Sequence, residues 1–208
     1  AIAAESDPAF ASSNGLQITP GNATLKAIYT LSETGTDTYG VKYKWWKSND
    51  ESASSEYSES DKTGLSGEYI IPDLTNGQSY EVQAFVTSSL NVTVSSDIIS
   101  DMPYSNPTLT NLTVDSDKQS ATVIYTPNGF VYQKSKGYIF DASNSNFLVS
   151  DFSHNTPGGG SLDPSTIKID MKDLSGTAEE IEHILITATG QYYGNNTTST
   201  ALAENFST

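Results

Sequence analysis

The chain has 208 residues and a mass of 22.3 kDa, with ten Lys, no Arg, 25 Asp and Glu, and a formal charge of −15. So few cations argue against any grip on a nucleic-acid backbone, and an anionic membrane surface repels such a chain. The absence of Cys excludes disulfides, thiol catalysis, iron–sulfur clusters and cysteine zinc sites, and suits any redox compartment. Thirty Ser and 24 Thr stand where charged residues usually do, a composition of β-rich proteins. No apolar run approaches the ~18 residues of a membrane span, so membrane insertion is not expected.

Residues 1–14 carry no strand signal and are expected to form an N-terminal arm, either extended against a neighbouring subunit's sheet edge or a partly ordered tail. Their first ten, AIAAESDPAF, are too short and acidic for an intact leader. They suit a chain start left by leader cleavage or by removal of an initiator Met. GLQIT (15–19) is the first predicted strand. ATLKAIYTL (23–31) alternates with Leu25, Ala27, Tyr29 and Leu31 on one face. GVKYKWWK (40–47) places Val41, Tyr43 and Trp45 inward and Lys42, Lys44 and Trp46 outward. SNDESASSEYSESD (48–61) reads as a solvated loop. YEVQAFVT (80–87) puts Tyr80, Val82, Ala84 and Val86 inward, and ATVIYT (121–126) groups Ala121, Val123 and Tyr125. GTAEEIEHILITA (176–188) is the one stretch with a brief helical look, and its second half is expected to be a strand. Turn residues recur every 8–12 positions, as in a sandwich or barrel.

An internal repeat divides the chain. NATLKAIYT (22–30) matches SATVIYT (120–126), and EYIIPDL (68–74) matches IKIDMKDL (167–174). Each -DL- leads through a turn into an apolar strand. The offset of roughly 100 residues is one sandwich domain. The expected organisation is all-β: arm 1–14, sandwich 15–102, a proline-flanked linker 103–107 and a second sandwich 108–208.

Both halves resemble fibronectin type III or closely related immunoglobulin-like domains. YIIPDLTNGQSYEVQAFVTSS (69–89) carries the likeness: Leu74 is followed six residues later by Tyr80 and an alternating strand. The resemblance implies that Tyr80 forms the tyrosine corner, its hydroxyl bonding back to the backbone. In the second half the expected Tyr position falls near Glu182, and the family's usual Trp in the second strand is replaced by Tyr29 and Tyr125. Such modules host many functions, so the resemblance speaks to fold rather than role.

Catalytic material is thin. His154 lies in a glycine-rich stretch and His183 at a strand start beside Glu180 and Glu182. No G-x-S-x-G elbow accompanies them. The carboxylates of 48–61 sit on a polar loop poorly suited to acid–base chemistry. Gly158–Gly160 lack the Lys and the strand–loop–helix setting of a phosphate loop. Asp97, Asp101, Asp115 and Asp117 flank the domain junction and are a candidate Ca²⁺ site of hard oxygen ligands, without an EF-hand pattern. Sequons occur at Asn22, Asn91, Asn111, Asn195, Asn196 and Asn205, scarcely more than chance for so many Asn, Ser and Thr.

Aromatic side chains are the most suggestive binding feature. Trp46, Tyr57, Tyr192 and Tyr193 are candidate stacking platforms for sugars or a protein partner, Trp46 if its neighbour Trp45 is buried. The expected function is a non-enzymatic structural or interaction protein of an extracellular assembly: a phage tail or capsid decoration protein, or a surface filament subunit. Arginine-free, acidic, hydroxyl-rich chains with such modules resemble phage structural proteins. The alternative is a carbohydrate-binding or adhesive cell-surface module. Expected partners are protein subunits of the same or a larger assembly, and glycans under the alternative.

Overall fold

The computed structural model describes residues 6–115, 120–140, 146–149, 162–170 and 183–206. The chain is all-β, of sandwich type, and divides into two compact units, Ala1–Pro103 and Tyr104–Thr208.

Unit 1 contains β1 (Ala9–Phe10), β2 (Leu16–Gly21), β3 (Thr24–Glu33), β4 (Tyr39–Lys47), β5 (Ser55–Lys62), β6 (Ser66–Ile71), β7 (Tyr80–Ser88), β8 (Thr93–Ser95) and β9 (Ile99–Asp101). In one sheet β3 pairs with β1, β2 and β6. The other runs β5-β4-β7-β8, with β9 also on β7. All these pairings are antiparallel. Alternation sets the core: Leu25, Ala27, Tyr29, Leu31 and Ile71 face Tyr39, Val41, Tyr43, Val82, Ala84 and Val86, and all are buried.

Two expectations change here. Residues 9–11 are not an arm free to reach another subunit. Phe10 pairs with Leu31 on β3, the Ala11 N–H donates to the Thr30 carbonyl at 3.0 Å, and Pro8 is buried. The serine-rich stretch 48–61 is not all loop either. Its second half forms edge strand β5, whose Tyr57 and Glu59 pair with Tyr43 and Val41. A strand that exposes nearly every side chain has no apolar alternation by which to be recognised.

The core of unit 1 is unusually phenolic. Tyr29 meets Tyr39 edge-on and Tyr43 at a tilt, both at 6.3 Å between centroids, and Tyr43 lies 5.4 Å from Tyr69. Tyr39 donates its hydroxyl to the Gly64 carbonyl at 2.7 Å, which leaves Tyr29 to donate to Tyr39 at 3.0 Å. Tyr43 differs, because its fully buried hydroxyl has no hydrogen-bond partner among the described residues. A buried, unsatisfied polar group costs about 1–3 kcal/mol. Tyr43→Phe is therefore expected to raise stability by about 1 kcal/mol in denaturant unfolding, and a loss of stability would show that the hydroxyl is satisfied.

Unit 2 contains β10 (Thr108–Val114), β11 (Ser120–Thr126), β12 (Phe130–Phe140), β13 (Asn146–Val149), β14 (Ser165–Asp170), β15 (His183–Tyr192) and β16 (Thr198–Phe206). They form the sheets β10-β11-β14 and β13-β12-β15-β16. Ala121, Val123, Tyr125, Ile167 and Ile169 from the first are buried with Tyr132, Ile184, Ile186 and Ala188 from the second.

The repeated tyrosines Tyr29 and Tyr125 each lie against a glycine. A Cβ on Gly67, the β6 neighbour of Tyr29, would sit 2.6 Å from the Tyr29 ring and hydroxyl. A Cβ on Gly190, which comes from the sheet opposite Tyr125, would overlap the Tyr125 hydroxyl.

Candidate functional site

Strand parity assigns the outer face of the β5-β4-β7-β8 sheet. Gly40, Lys42, Lys44 and Trp46 come from β4, and Glu81, Gln83, Phe85 and Thr87 from β7, their register partners in reverse order. Trp46 occupies the outer face yet is only 3% exposed. Its indole N–H donates to the Glu81 carboxylate, and the Lys44 ammonium lies 5.2 Å from its ring. Lys44 in turn pairs with Glu51 at 2.6 Å. Trp46 is thus no stacking platform: its ring lies under the Lys44 ammonium and its N–H is tied to Glu81 across the strands. Trp45, expected on the inward face, is half-buried and packs against the core, 6.2 Å from Tyr69.

Further along the same face, a depression of about 330 Å³ lies over Gly40. Its walls are Lys42, Ser58, Glu59, Phe85, Thr87 and Thr93. Thr87 and Thr93 share a hydroxyl hydrogen bond at 2.8 Å. The Lys42 ammonium stands 5.0 Å from the centre of the Phe85 ring and 3.4 Å from Glu56. Glu59 pairs with Lys62 at 2.6 Å, a hydrogen bond that holds the Lys62 ammonium above its ordinary range. The Lys42 ammonium in the wall therefore has a carboxylate beside it, while the Glu59–Lys62 pair belongs to the tyrosine side of the sheet, opposite Val41 and Tyr39. Sequence reasoning missed this cluster because none of its residue types is distinctive. The available signal was a lone glycine in an alternating strand.

The remaining predicted residues do not converge on one site. Tyr57 is 38% exposed, with one face stacked on Tyr69 at 4.0 Å and 8°. Tyr192 was expected outside and is buried, 4.3 Å from Tyr104 and 5.9 Å from Phe130, because it ends the inward row of β15. Tyr193 begins the turn and is 63% exposed. Leu74 is buried, and Tyr80 accepts the Thr75 N–H on its hydroxyl at 3.1 Å.

The four aspartates have separate surroundings. Asp97 is exposed, Asp101 accepts the Met102 N–H at 2.8 Å, Asp115 accepts the Ser120 hydroxyl, and Asp117 lies outside the described residues. Among the described residues no three His, Cys, Asp or Glu side chains come together to hold a metal ion. His183 opens β15, with its Nε2 3.9 Å from Glu204. His154 and Gly158–Gly160 lie outside the described residues, as does Glu182. Of the sequon asparagines, Asn205 is half-buried and the other five are exposed. Among the described residues no helix is long and apolar enough to cross a membrane.

Comparison with protein-family models and with curated proteins finds no match to this chain.

Proposed function

We propose that the chain is a non-enzymatic interaction protein of an extracellular assembly, a virion tail or capsid decoration protein or a surface filament subunit, made of two fibronectin type III or immunoglobulin-like sandwiches. The observation that carries this reading is the character of the outer sheet faces. A cross-strand hydroxyl pair stands on one sheet of unit 1 and on each sheet of unit 2: Thr87–Thr93, Thr113–Thr122 and Thr189–Thr200, at 2.8, 2.6 and 3.1 Å. In unit 1 the cations on these faces are matched to carboxylates, Lys26 with Glu68, Lys42 with Glu56 and Lys44 with Glu51. Such pairs add little stability when exposed, but they leave a sheet face hydroxyl-lined and locally neutral. A surface of this kind suits packing against like modules and display in water. The Tyr80–Thr75 bond and the two-sheet division of each unit support the module assignment.

Light scattering over a rising concentration series tests the function. The expected result is a mass that climbs in multiples of 22.3 kDa. A strict monomer throughout overturns the self-assembling reading, and turnover of a hydrolase substrate panel overturns the non-enzymatic one.

A further inference from the structure

We infer that the depression at Gly40 is a binding subsite for one neutral hexopyranose ring, as in a glycan chain. This goes beyond the assembly role and does not rest on it. The first argument is the glycine itself. Glycine weakens a strand interior and is normally kept there by a close approach or an unusual backbone. Neither applies at Gly40. A Cβ there would meet its nearest neighbours, the Glu59 and Thr87 carbonyl oxygens, at an ordinary 3.6 and 3.9 Å. The bulge opposite, between Tyr39 and Val41 in the β4–β5 register, takes its left-handed residue from β5, where Asp61 has φ +55°. Gly67 and Gly190, by contrast, are demanded by packed tyrosines. What the missing side chain of Gly40 provides is the space above it.

The second argument is the chemistry of the wall. Phe85 offers an aromatic surface to the C–H face of a sugar. The hydroxyls of Ser58, Thr87 and Thr93 offer donors and acceptors to its rim. The ammonium in the wall, Lys42, is already matched to Glu56, so a charged ligand would find no unbalanced partner. The Lys42 ammonium over Phe85 is the movable part of the wall. One exposed cation–ring contact and one long surface ion pair are weak, so a sugar can displace it and receive its hydrogen bonds.

The test is a titration of the full chain with the methyl glycosides of glucose, galactose and mannose, followed by amide chemical shifts. The expected result is saturable shifts centred on Gly40, Lys42, Phe85, Thr87 and Thr93 for at least one glycoside, with a Kd on the order of 1–10 mM, as befits a single shallow subsite. Gly40→Val places two methyl groups in the floor of the depression, where the ring would sit, and is expected to abolish those shifts with an unchanged or higher Tm. Phe85→Ala, which keeps the space, is expected to weaken binding at least ~10-fold. An absence of shifts with every glycoside overturns the proposal, and so do shifts that persist in a folded Gly40→Val. If Gly40→Val does not fold, full-strength binding by Phe85→Ala overturns it.

Discussion

Raising the pH above 10 is expected to unfold this protein in a steep step. Burial raises the pKa of Tyr29, Tyr39, Tyr43 and Tyr69 in unit 1 and of Tyr125 and Tyr132 in unit 2 above the ordinary phenol value. In the unfolded chain the same groups ionise near pH 10. Above that pH the folded state binds more protons than the unfolded one, so the phenols' contribution to stability is complete below pH 10 and declines as pH rises past it. Each fully buried tyrosine removes about 1.4 kcal/mol per pH unit in that window. Several acting together exhaust a typical stability of ~5–15 kcal/mol within roughly one to three pH units. Tyrosinate absorbance and near-UV circular dichroism are expected to change together and abruptly. Gradual tyrosinate formation from pH 10 with intact dichroism would show that these phenols titrate in the folded state.

Gly190→Ala is expected to destabilise unit 2 by about 1–3 kcal/mol, the usual cost of overfilling a packed core. The added methyl overlaps the Tyr125 hydroxyl, lies 2.9 Å from the Phe130 Cβ and 3.1 Å from the Phe130 carbonyl oxygen. Tyr125 has little room to retreat. It is fully buried, donates to the Phe130 carbonyl at 2.7 Å and packs edge-on against Tyr132 at 5.5 Å. Removing the hydroxyl takes away the overlap along with that hydrogen bond. Tyr125→Phe in the Gly190→Ala background is therefore expected to recover part of the loss, with a coupling energy of about 0.5–3 kcal/mol in a double-mutant cycle. Strict additivity of the two changes in chemical denaturation would place the cost elsewhere.

Parity made much of the fold legible. The alternation in 23–31, 40–47, 80–87 and 121–126 marks the strands that became β3, β4, β7 and β11, and its inward residues became the two cores. Elements held by backbone pairing were not legible. β1 is two residues long, and β5 is an exposed polar edge, so neither has a buried side-chain row to announce it. The candidate site failed for a related reason. Parity gives the face a residue occupies but not what stands beside it across the strands. Trp46 lies on the outer face, as its position in β4 demands, yet is buried there, with Lys44 over its ring and Glu81 bonded to it across the strands. Tyr192 and Tyr193 fall on opposite sides of the same boundary: one closes a buried row and the other opens a turn. A depression over a glycine leaves only that glycine in the sequence.

The placement of both tryptophans on β4 gives the molecule a built-in optical asymmetry. Trp45, 6.2 Å from Tyr69 at the end of the phenolic row, is close enough to collect excitation absorbed along it, so indole emission reports the state of unit 1 alone. Unit 2 has no indole, and its buried Tyr125 and Tyr132 are visible through phenol signals instead. On one unlabelled sample, melting followed by emission thus reports unit 1, while phenol dichroism reports the buried tyrosines of both units. The interval between the two midpoints measures the cooperativity of the whole chain.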